Sequence, residues 1–364
     1  MRKRIIALGC MLLTGLLIWK MPDVLSQYPV NRDGSMRERS WQGVLRVWVC
    51  QDWSSSAAGW VAKQSAAFEK ANKGVHVSIR RVLPGAWDAD GAVPPDVLVF
   101  SPGVLDDPRE LLTPFADSDS FLSEAARSGR WMDEQYALPV ALGGYAVLVN
   151  EAMWPAGTAL GEPPPVKKQT RYVIEAGAGG PMAALLGWEE GVEAARGLSK
   201  PEGFGTVSVD SAYSTFVGGN VSVLVGTLDQ TRRFNALVNA GRGFPFRVET
   251  PLSGFCDQVL LVGKVGNEPD KARDEMALAY IWALTGKAAQ DTLLSVGLIP
   301  VRKDAVEASD ATPTLKALQT RYRTELATPN AFGWGGVRKE FFDRALYAVM
   351  HDTAGVRDAI EQVR

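Results

Sequence analysis

The side chains that most often carry out catalysis are scarce in this 364-residue chain. Its two histidines are His76, which alternates with apolar residues in a strand pattern, and His351, so multi-histidine metal sites and most acid–base relays are excluded. The serines at 54–56 have no nearby base and are better explained as helix caps. Carboxylate pairs at 106–107 and 189–190 are too common to indicate a glycosidase. Without a G-x-S-x-G or C-x-x-C motif, the residue types favour binding over catalysis and predict neither a metal nor a cofactor.

A glycine-rich run at 177–180 could present backbone N–H groups to an anion, because a helix is predicted over 182–186. The run lacks the spacing of a dinucleotide or P-loop motif. Pro181 also removes one of the donors. A tight turn therefore explains the run better than a phosphate site.

An alternation of strands and helices must position any binding residues. Strand patterns cover 45–50, 75–82 and 96–100, and a helix pattern over 58–71 is closed by a glycine. This order predicts mainly parallel sheets covered by helices. Ligands in such sheets bind beyond the carboxyl ends of the strands, where this sequence carries Trp53 and Ser101.

The segment 272–305 predicts two helices and a sharp turn. Apolar residues recur at helical spacing from Ala272 to Ala283, Gly286 interrupts the run, and a second helix is predicted over 287–294. Gly297 suits a left-handed C-cap, and Pro300 prevents continuation of the helix.

This late segment, with its Gly-Leu-Ile-Pro-Val-Arg turn, closely resembles the corresponding part of the extracytoplasmic solute-binding proteins of ABC importers, the family that includes maltose-binding protein. Further segments resemble that family in the same order, namely Val44–Ile79, Pro94–Gly103, Tyr136–Asn150, Phe216–Gly226 and Ala331–Gly336. The resemblance implies an α/β periplasmic binding protein fold of type II, with a hinge and a cleft between two lobes. Lobe 1 would comprise 43–142 and 258–305, and a reduced lobe 2 would comprise 143–257 and 306–364.

The same resemblance implies where the lobes meet. Gly143 and Gly144 lie at the first crossover and suit a hinge, because glycine absorbs backbone changes without steric cost; the alternative is a glycine pair in a tightly packed strand. Tyr145 faces either the cleft or the core. Asp229 and Gln230 are further candidates for ligand contact, with helix capping as the alternative.

Sugars need flat apolar faces to stack on and polar groups for their hydroxyls. By resemblance, Trp334 occupies the position of an aromatic residue that stacks on sugar, with Phe332 beside it. The flanking glycines predict an exposed turn, and a core tryptophan is the alternative. Asp52 aligns with an acidic ligand contact, or else caps the helix that follows. Glu175 matches another polar contact, whereas Gly177 stands where relatives carry an aromatic residue.

Composition sets independent limits. With 46% hydrophobic and 22% charged residues, the chain can bury the cores of two domains. A net charge of -2 offers no electrostatic footprint for nucleic acid. The protein is expected to be a monomer. Cys50 and Cys256 either pair or remain two buried thiols, and a bridge near the hinge would restrain lobe movement.

The N-terminus is typical of an exported protein. Basic residues at 2–4 precede an uncharged run at 5–19, which is short for a membrane span of about 20 residues and long for a signal-peptide core. Residues 1–26 are therefore either a cleaved signal peptide or a membrane anchor, and 27–42 a tether. In both cases the rest of the chain lies outside the cytoplasm, in the periplasm or at the outer face of the cytoplasmic membrane.

These observations lead to a functional hypothesis. The chain is predicted to capture a small ligand, a carbohydrate, between two lobes and to deliver it to the permease of an ABC importer. The first alternative is a membrane-anchored sensor or interaction protein on the same fold without a transport role. An extracytoplasmic hydrolase is the third possibility.

Overall fold

The computed structural model of the protein describes residues 41–51, 53–83, 93–116, 119–154, 172–176, 204–249, 254–266, 270–305 and 313–336. For residues 55, 172–176, 204–211, 225 and 313–315 it describes the backbone alone. Within these ranges, no helix has both the length and the apolar character needed to cross a membrane. The predicted signal or anchor at 1–26 lies outside the described residues.

The strands are numbered in chain order: β1 Gly43–Cys50, β2 Val75–Arg81, β3 Val97–Phe100, β4 Leu112–Thr113, β5 Arg130–Trp131, β6 Glu134–Gln135, β7 Leu138–Leu142, β8 Tyr145–Asn150, β9 Tyr172–Ala176, β10 Phe204–Ser208, β11 Val223–Thr227, β12 Phe246–Glu249, β13 Val259–Val265 and β14 Ile299–Pro300. The helices are α1 Ser55–Ala71, α2 Ser123–Arg127, α3 Val209–Val217, α4 Leu228–Asn239, α5 Lys271–Thr285, α6 Lys287–Gln290 and α7 Pro313–Glu325. Each of the strands predicted near the start of the chain is present.

A seven-stranded sheet forms the centre of what we call lobe 1. Its order is β14-β7-β13-β3-β1-β2, and β4 pairs with β13. β1 is parallel to β2 and β3, whereas β13 is antiparallel to β3, β4 and β7. β3 and β7 are buried along their whole length, as expected for strands covered on both faces. In β2, Val75 and Val77 are buried while His76 points outward to Glu69, at 2.8 Å.

A five-stranded sheet in the order β10-β9-β11-β8-β12 forms the centre of lobe 2. β9 is parallel to β10 and β11, and β8 is antiparallel to β11 and β12. Aromatic rings with centroids 4.8 to 5.2 Å apart hold α3 and α4 to the end of the sheet, namely Phe216, Phe234, Phe244 and Phe246. Each lobe is thus an α/β unit, which confirms the predicted fold class.

Helix α1 begins at a serine cap, as the sequence predicts. The Ser54 Oγ accepts a hydrogen bond from the Ala57 amide at 3.1 Å, which satisfies one of the free N–H groups of the first turn. The helix packs on α5 through Phe68 and Tyr280, whose rings meet edge to face at 5.2 Å. The Tyr280 hydroxyl also lies 2.7 Å from the Ser65 Oγ.

The late helix pair ends differently from the prediction in one respect. Gly286 interrupts the helices and Gly297 adopts the left-handed conformation with φ of 77°, both as predicted. The second helix stops at Gln290 rather than at 294, so its predicted length is wrong. The wholly buried Gln290 side chain donates to the Val140 carbonyl and accepts from the Val301 amide at 2.9 Å. These tertiary contacts hold the chain against β7 in place of further helix.

The chain passes from lobe 1 to lobe 2 between β7 and β8 and returns between β12 and β13. α7 brings the wholly buried Tyr322 against Gly144 at the first crossover. Residues 327–336 then contact lobe 1 again, where the Gly103 amide donates to the Ala331 carbonyl at 2.8 Å.

Candidate functional site

Trp53 lies at the carboxyl ends of the lobe 1 strands in a fixed orientation. Its indole N–H donates to the Ser101 Oγ at 2.7 Å, which joins the end of β1 to the end of β3. Ser101 is buried and Trp53 is partly exposed. The Gln51 side chain holds the connecting turn, because its amide contacts both the carbonyl and the amide of Ser54. An oriented, partly exposed indole therefore occupies the place where the fold predicts ligand contact.

The first crossover is built around Gly143 and Gly144. A Cβ on Gly143 would lie 2.6 Å from the Cζ3 of Trp53, so any side chain there would collide with the indole. The Gly143 amide donates to the Gln258 carbonyl at 2.7 Å, and the Gly144 amide to the Gln258 Oε1 at 3.0 Å. Gln258 thus joins both crossovers. The glycines are required by close packing, and their hinge role stays a prediction.

Tyr145 is buried between the two crossovers rather than exposed in a cleft. It is 1% exposed, its hydroxyl donates to Asp257, and its amide donates to the Tyr322 hydroxyl at 2.8 Å. Burial, followed by the nearby Cys256, raises the pKa of Tyr322 well above its usual range. Of the two alternatives for Tyr145, the structure supports the core.

Asp229 lies where lobe 2 approaches lobe 1. Thr227 and Gln230 form a reciprocal capping box at the start of α4, with the Gln230 amide donating to the Thr227 Oγ1 at 3.2 Å, so Gln230 has the capping role. The Asp229 side chain, in the first turn of α4, contacts lobe 1. Its Oδ1 accepts a hydrogen bond from the Ser56 Oγ of α1 at 2.7 Å.

The expectation of an exposed turn around Trp334 is wrong. Trp334 and Phe332 are each 3% exposed. Phe332 packs among lobe 1 aromatic rings with centroids 6.1 to 6.5 Å away, namely Phe100, Trp131 and Tyr136. A Cβ on Gly335 would lie 2.8 Å from the Gly103 carbonyl oxygen, so the glycine allows two backbone segments to touch. The glycines therefore indicate close packing, and neither ring is available to a ligand in this conformation.

Three predicted contacts are not described in full. Asp52 and Gly177 lie outside the described residues, as does the rest of the glycine run. Glu175 lies in β9 opposite Val207 of β10, where the structure describes the backbone alone. The cap of α1 is Ser54, so the helix start does not need Asp52 for this purpose.

In the described part of the chain, no group of three or more histidine, cysteine or acidic side chains could hold a metal ion. Cys50 and Cys256 are both buried free thiols and do not form a disulfide. Burial, followed by the Asp257 charge, raises the pKa of the Cys256 thiol and keeps it protonated at neutral pH.

Sequence reasoning missed four residues that organise this site: Ser56, Arg232, Gln258 and Tyr322. Ser56 could have been anticipated as a site residue from the sequence, because it follows a helix cap that comes directly after a strand. Gln258 carried a weaker signal, since it immediately precedes the return strand. Arg232 and Tyr322 lie in ordinary helical patterns, and nothing near them in sequence indicates their contacts.

Comparison with solved structures identifies the fold. The GacH receptor of Streptomyces glaucescens, described with acarbose, matches with a TM-score of 0.61 at 14% identity, over 89% of this chain and 97% of the receptor. The maltose/maltodextrin-binding domain MalE of Bdellovibrio bacteriovorus, bound to maltotriose, matches with a TM-score of 0.59 at 15% identity, over 88% and 97% of the two chains. The ABC substrate-binding protein Lmo0181 of Listeria monocytogenes, in complex with cycloalternan, matches with a TM-score of 0.59 at 12% identity, over 89% and 97%.

The chain therefore has the two-lobed periplasmic binding protein fold that the sequence resemblance predicts. The structures that share it here are receptors and binding proteins. No family model matches the sequence, and no curated protein sequence matches it.

Proposed function

We propose that this protein is an extracytoplasmic solute-binding protein that captures a carbohydrate between its lobes and delivers it to an ABC importer. The fold extends over nearly nine tenths of the chain and almost the whole length of proteins described with acarbose, maltotriose and cycloalternan. Fold alone does not define a ligand. The site itself supplies the further support.

The oriented indole of Trp53 is the observation that carries the proposal. Sugar rings bind to flat aromatic faces, and rigid aromatic side chains lose little entropy on binding. Trp53 is held by Ser101 on one side and lies against Gly143 on the other. In this proposal Trp53 has the sugar-stacking role that the family resemblance implied for Trp334. Asp52 and Glu175 remain the proposed polar contacts from the two lobes, and Gly177 remains a proposed ligand-binding position where relatives carry an aromatic residue.

A neutral ligand fits the electrostatics of the site. Helix N-termini attract anions, and α1 and α4 both begin where the lobes approach each other. The Asp229 carboxylate already lies between these two helix starts, hydrogen-bonded to Ser56. The Arg232 guanidinium lies 3.3 Å from this carboxylate and offsets its charge, so a neutral ligand meets no electrostatic penalty there, and sugar hydroxyls can donate to the carboxylate.

The remaining parts of the proposal concern location and partners. Export through residues 1–26 would place the lobes outside the cytoplasmic membrane, either free or anchored by 5–19. There a monomer would present its closed, loaded form to the importer permease. Nucleic acid is not a partner in this proposal.

A thermal-shift screen with mono- and oligosaccharides, amino acids and polyamines tests the ligand class. A ligand that binds only the folded state raises the melting temperature by mass action. We expect a shift with at least one carbohydrate. A shift confined to amino acids or polyamines would overturn the carbohydrate assignment, and silence throughout the screen would count against solute capture.

The Trp53→Ala variant then locates the site, with Trp282→Ala as its control. Trp282 lies on α5 and is 46% exposed. For the sugar found in the screen, calorimetry should show affinity lowered about 10- to 100-fold by Trp53→Ala, as for the loss of a central aromatic contact. Trp282→Ala should bind like the parent. Equal affinities for all three proteins would remove Trp53 from the site.

A further inference from the structure

Ser56, Asp229 and Arg232 join the two lobes directly. Ser56 belongs to α1 of lobe 1, and the other two belong to α4 of lobe 2. The Ser56 Oγ donates to the Asp229 Oδ1 at 2.7 Å, while the Arg232 Nη2 lies 2.7 Å from the Ser56 Oγ and 3.3 Å from the Asp229 Oδ1. We call these three side chains the clasp.

Arg232 also reaches a second point on lobe 1, the glycine of the Gly-Leu-Ile-Pro-Val-Arg turn. A Cβ on Gly297 would lie 3.2 Å from the Cδ of Arg232, so the missing side chain leaves room for the arginine stem. Gly297 also has φ of 77°, a conformation that other residues rarely adopt. The turn that carries the strongest family resemblance is therefore a second place where the clasp contacts lobe 1.

The clasp lies beside the first crossover. The Leu228 amide, one residue before Asp229, donates to the Gly144 carbonyl at 2.9 Å, so the start of α4 is attached to the crossover. A rotation of the lobes about Gly143 and Gly144 that opens the cleft would carry α4 away from α1. Because Ser56 and Asp229 belong to different lobes, a rotation that separates α4 from α1 breaks the hydrogen bond between them.

We propose that the clasp holds the lobes closed in the absence of ligand and so sets how often the cleft opens. Hydrogen bonds to a carboxylate are stronger than those between neutral groups. The Asp229 side chain is 11% exposed, which shields its bond to Ser56, whereas Arg232 is 49% exposed and open to screening by salt. This inference goes beyond solute capture, since it holds whatever ligand the cleft binds.

Distance measurements between nitroxide labels test the clasp without any ligand. In the full-length chain carrying Cys10→Ser, labels are attached at Lys63→Cys on α1 and Arg242→Cys just beyond α4, both exposed positions. The native Cys50 and Cys256 are buried and escape labelling. Electron–electron double resonance then reports the proportions of shorter, closed and longer, open distances.

We expect the shorter distance to dominate in this labelled parent. Ser56→Ala, Asp229→Ala and Arg232→Ala should each raise the ratio of open to closed molecules about tenfold, in line with loss of a charge-assisted hydrogen bond. Raising the salt concentration to about 1 M, where charges are screened beyond roughly 3 Å, should increase the open fraction of the parent more than that of Arg232→Ala.

Arg233→Ala is the matched control. It removes the same charge from the same helix, but the Arg233 guanidinium lies over the Tyr213 ring of lobe 2, 4.7 Å from its centroid. It should leave the distance distribution unchanged. Clasp variants that coincide with this control, or a parent that is already mainly open, would overturn the proposal without bearing on the ligand screen.

Discussion

The Tyr322 hydroxyl accepts a hydrogen bond from the Tyr145 amide at 2.8 Å. Both residues are buried, and 177 positions separate them in sequence. α7 thereby fastens the first residue of β8 immediately after the crossover glycines. The bond connects a late helix to the part of the chain where the lobes join.

Replacing Tyr322 with phenylalanine should lower the free energy of unfolding by about 1–3 kcal/mol, because the buried Tyr145 amide loses this acceptor. Urea unfolding measures the loss. Tyr280→Phe serves as the comparison. Its effect should be smaller, about 0.5–1.5 kcal/mol, because Ser65 would still donate to the Val61 carbonyl at 2.8 Å. A larger loss for Tyr280→Phe than for Tyr322→Phe would contradict this account.

Trp334→Ala should behave as a core substitution. Removing a 3% exposed indole that packs near Phe255 is expected to cost about 3–5 kcal/mol of stability. The exposed Trp282 provides a control of the same chemistry, and its replacement by alanine should change stability by no more than about 0.5 kcal/mol. Denaturant unfolding of both variants decides the matter, and similar values for the two would refute the burial of Trp334.

Alanine substitutions at two glycines should change stability in opposite directions. Gly144 has φ of 135°, and a Cβ there would lie 2.8 Å from the Cε2 of Tyr322, so Gly144→Ala should destabilise by about 1–3 kcal/mol. Gly59 is exposed within α1 and has open space around it. Gly59→Ala should therefore stabilise by about 0.5–1 kcal/mol. Thermal melting of the two variants measures the sign of each stability change. Stabilisation by Gly144→Ala would contradict the close contact between Gly144 and Tyr322 at the crossover.

The buried Cys256 thiol predicts a loss of stability at alkaline pH. Burial raises the pKa of Cys256 above its usual value of about 8.5. Below that pH the thiol is protonated in both the folded and the unfolded chain, so the full stability is present. As the pH rises further, the unfolded chain loses the thiol proton while the folded chain keeps it. The free energy of unfolding should then fall by up to about 1.4 kcal/mol per pH unit.

Urea unfolding between pH 7 and pH 10 measures this effect. Cys256→Ala should show a shallower decline than the parent, so the stability difference between the two proteins should narrow as the pH rises. Tyr322 and Tyr280, whose pKa values are also raised by burial, begin to contribute above about pH 10 and stay outside this range. Parallel curves for parent and variant would contradict the prediction.

Features that depend on near neighbours in the chain were determined by the sequence alone. Alternating apolar residues predicted β2, the serines at 54–56 predicted the start of α1, and Gly297 predicted a left-handed turn. Each follows from side-chain periodicity or turn chemistry within a few residues. The order of motifs along the chain, through family resemblance, also predicted the fold of two α/β lobes.

Only the tertiary structure decided which aromatic rings are exposed and which are buried. Glycines around Trp334 are compatible with a solvent-exposed turn or with a tight backbone contact, and the approach of Gly103 selects the contact. The clasp likewise required residues 56 and 229, 173 positions apart, to meet. Local sequence specifies which hydrogen bonds a side chain can form, but packing of distant segments determines which partner lies within reach.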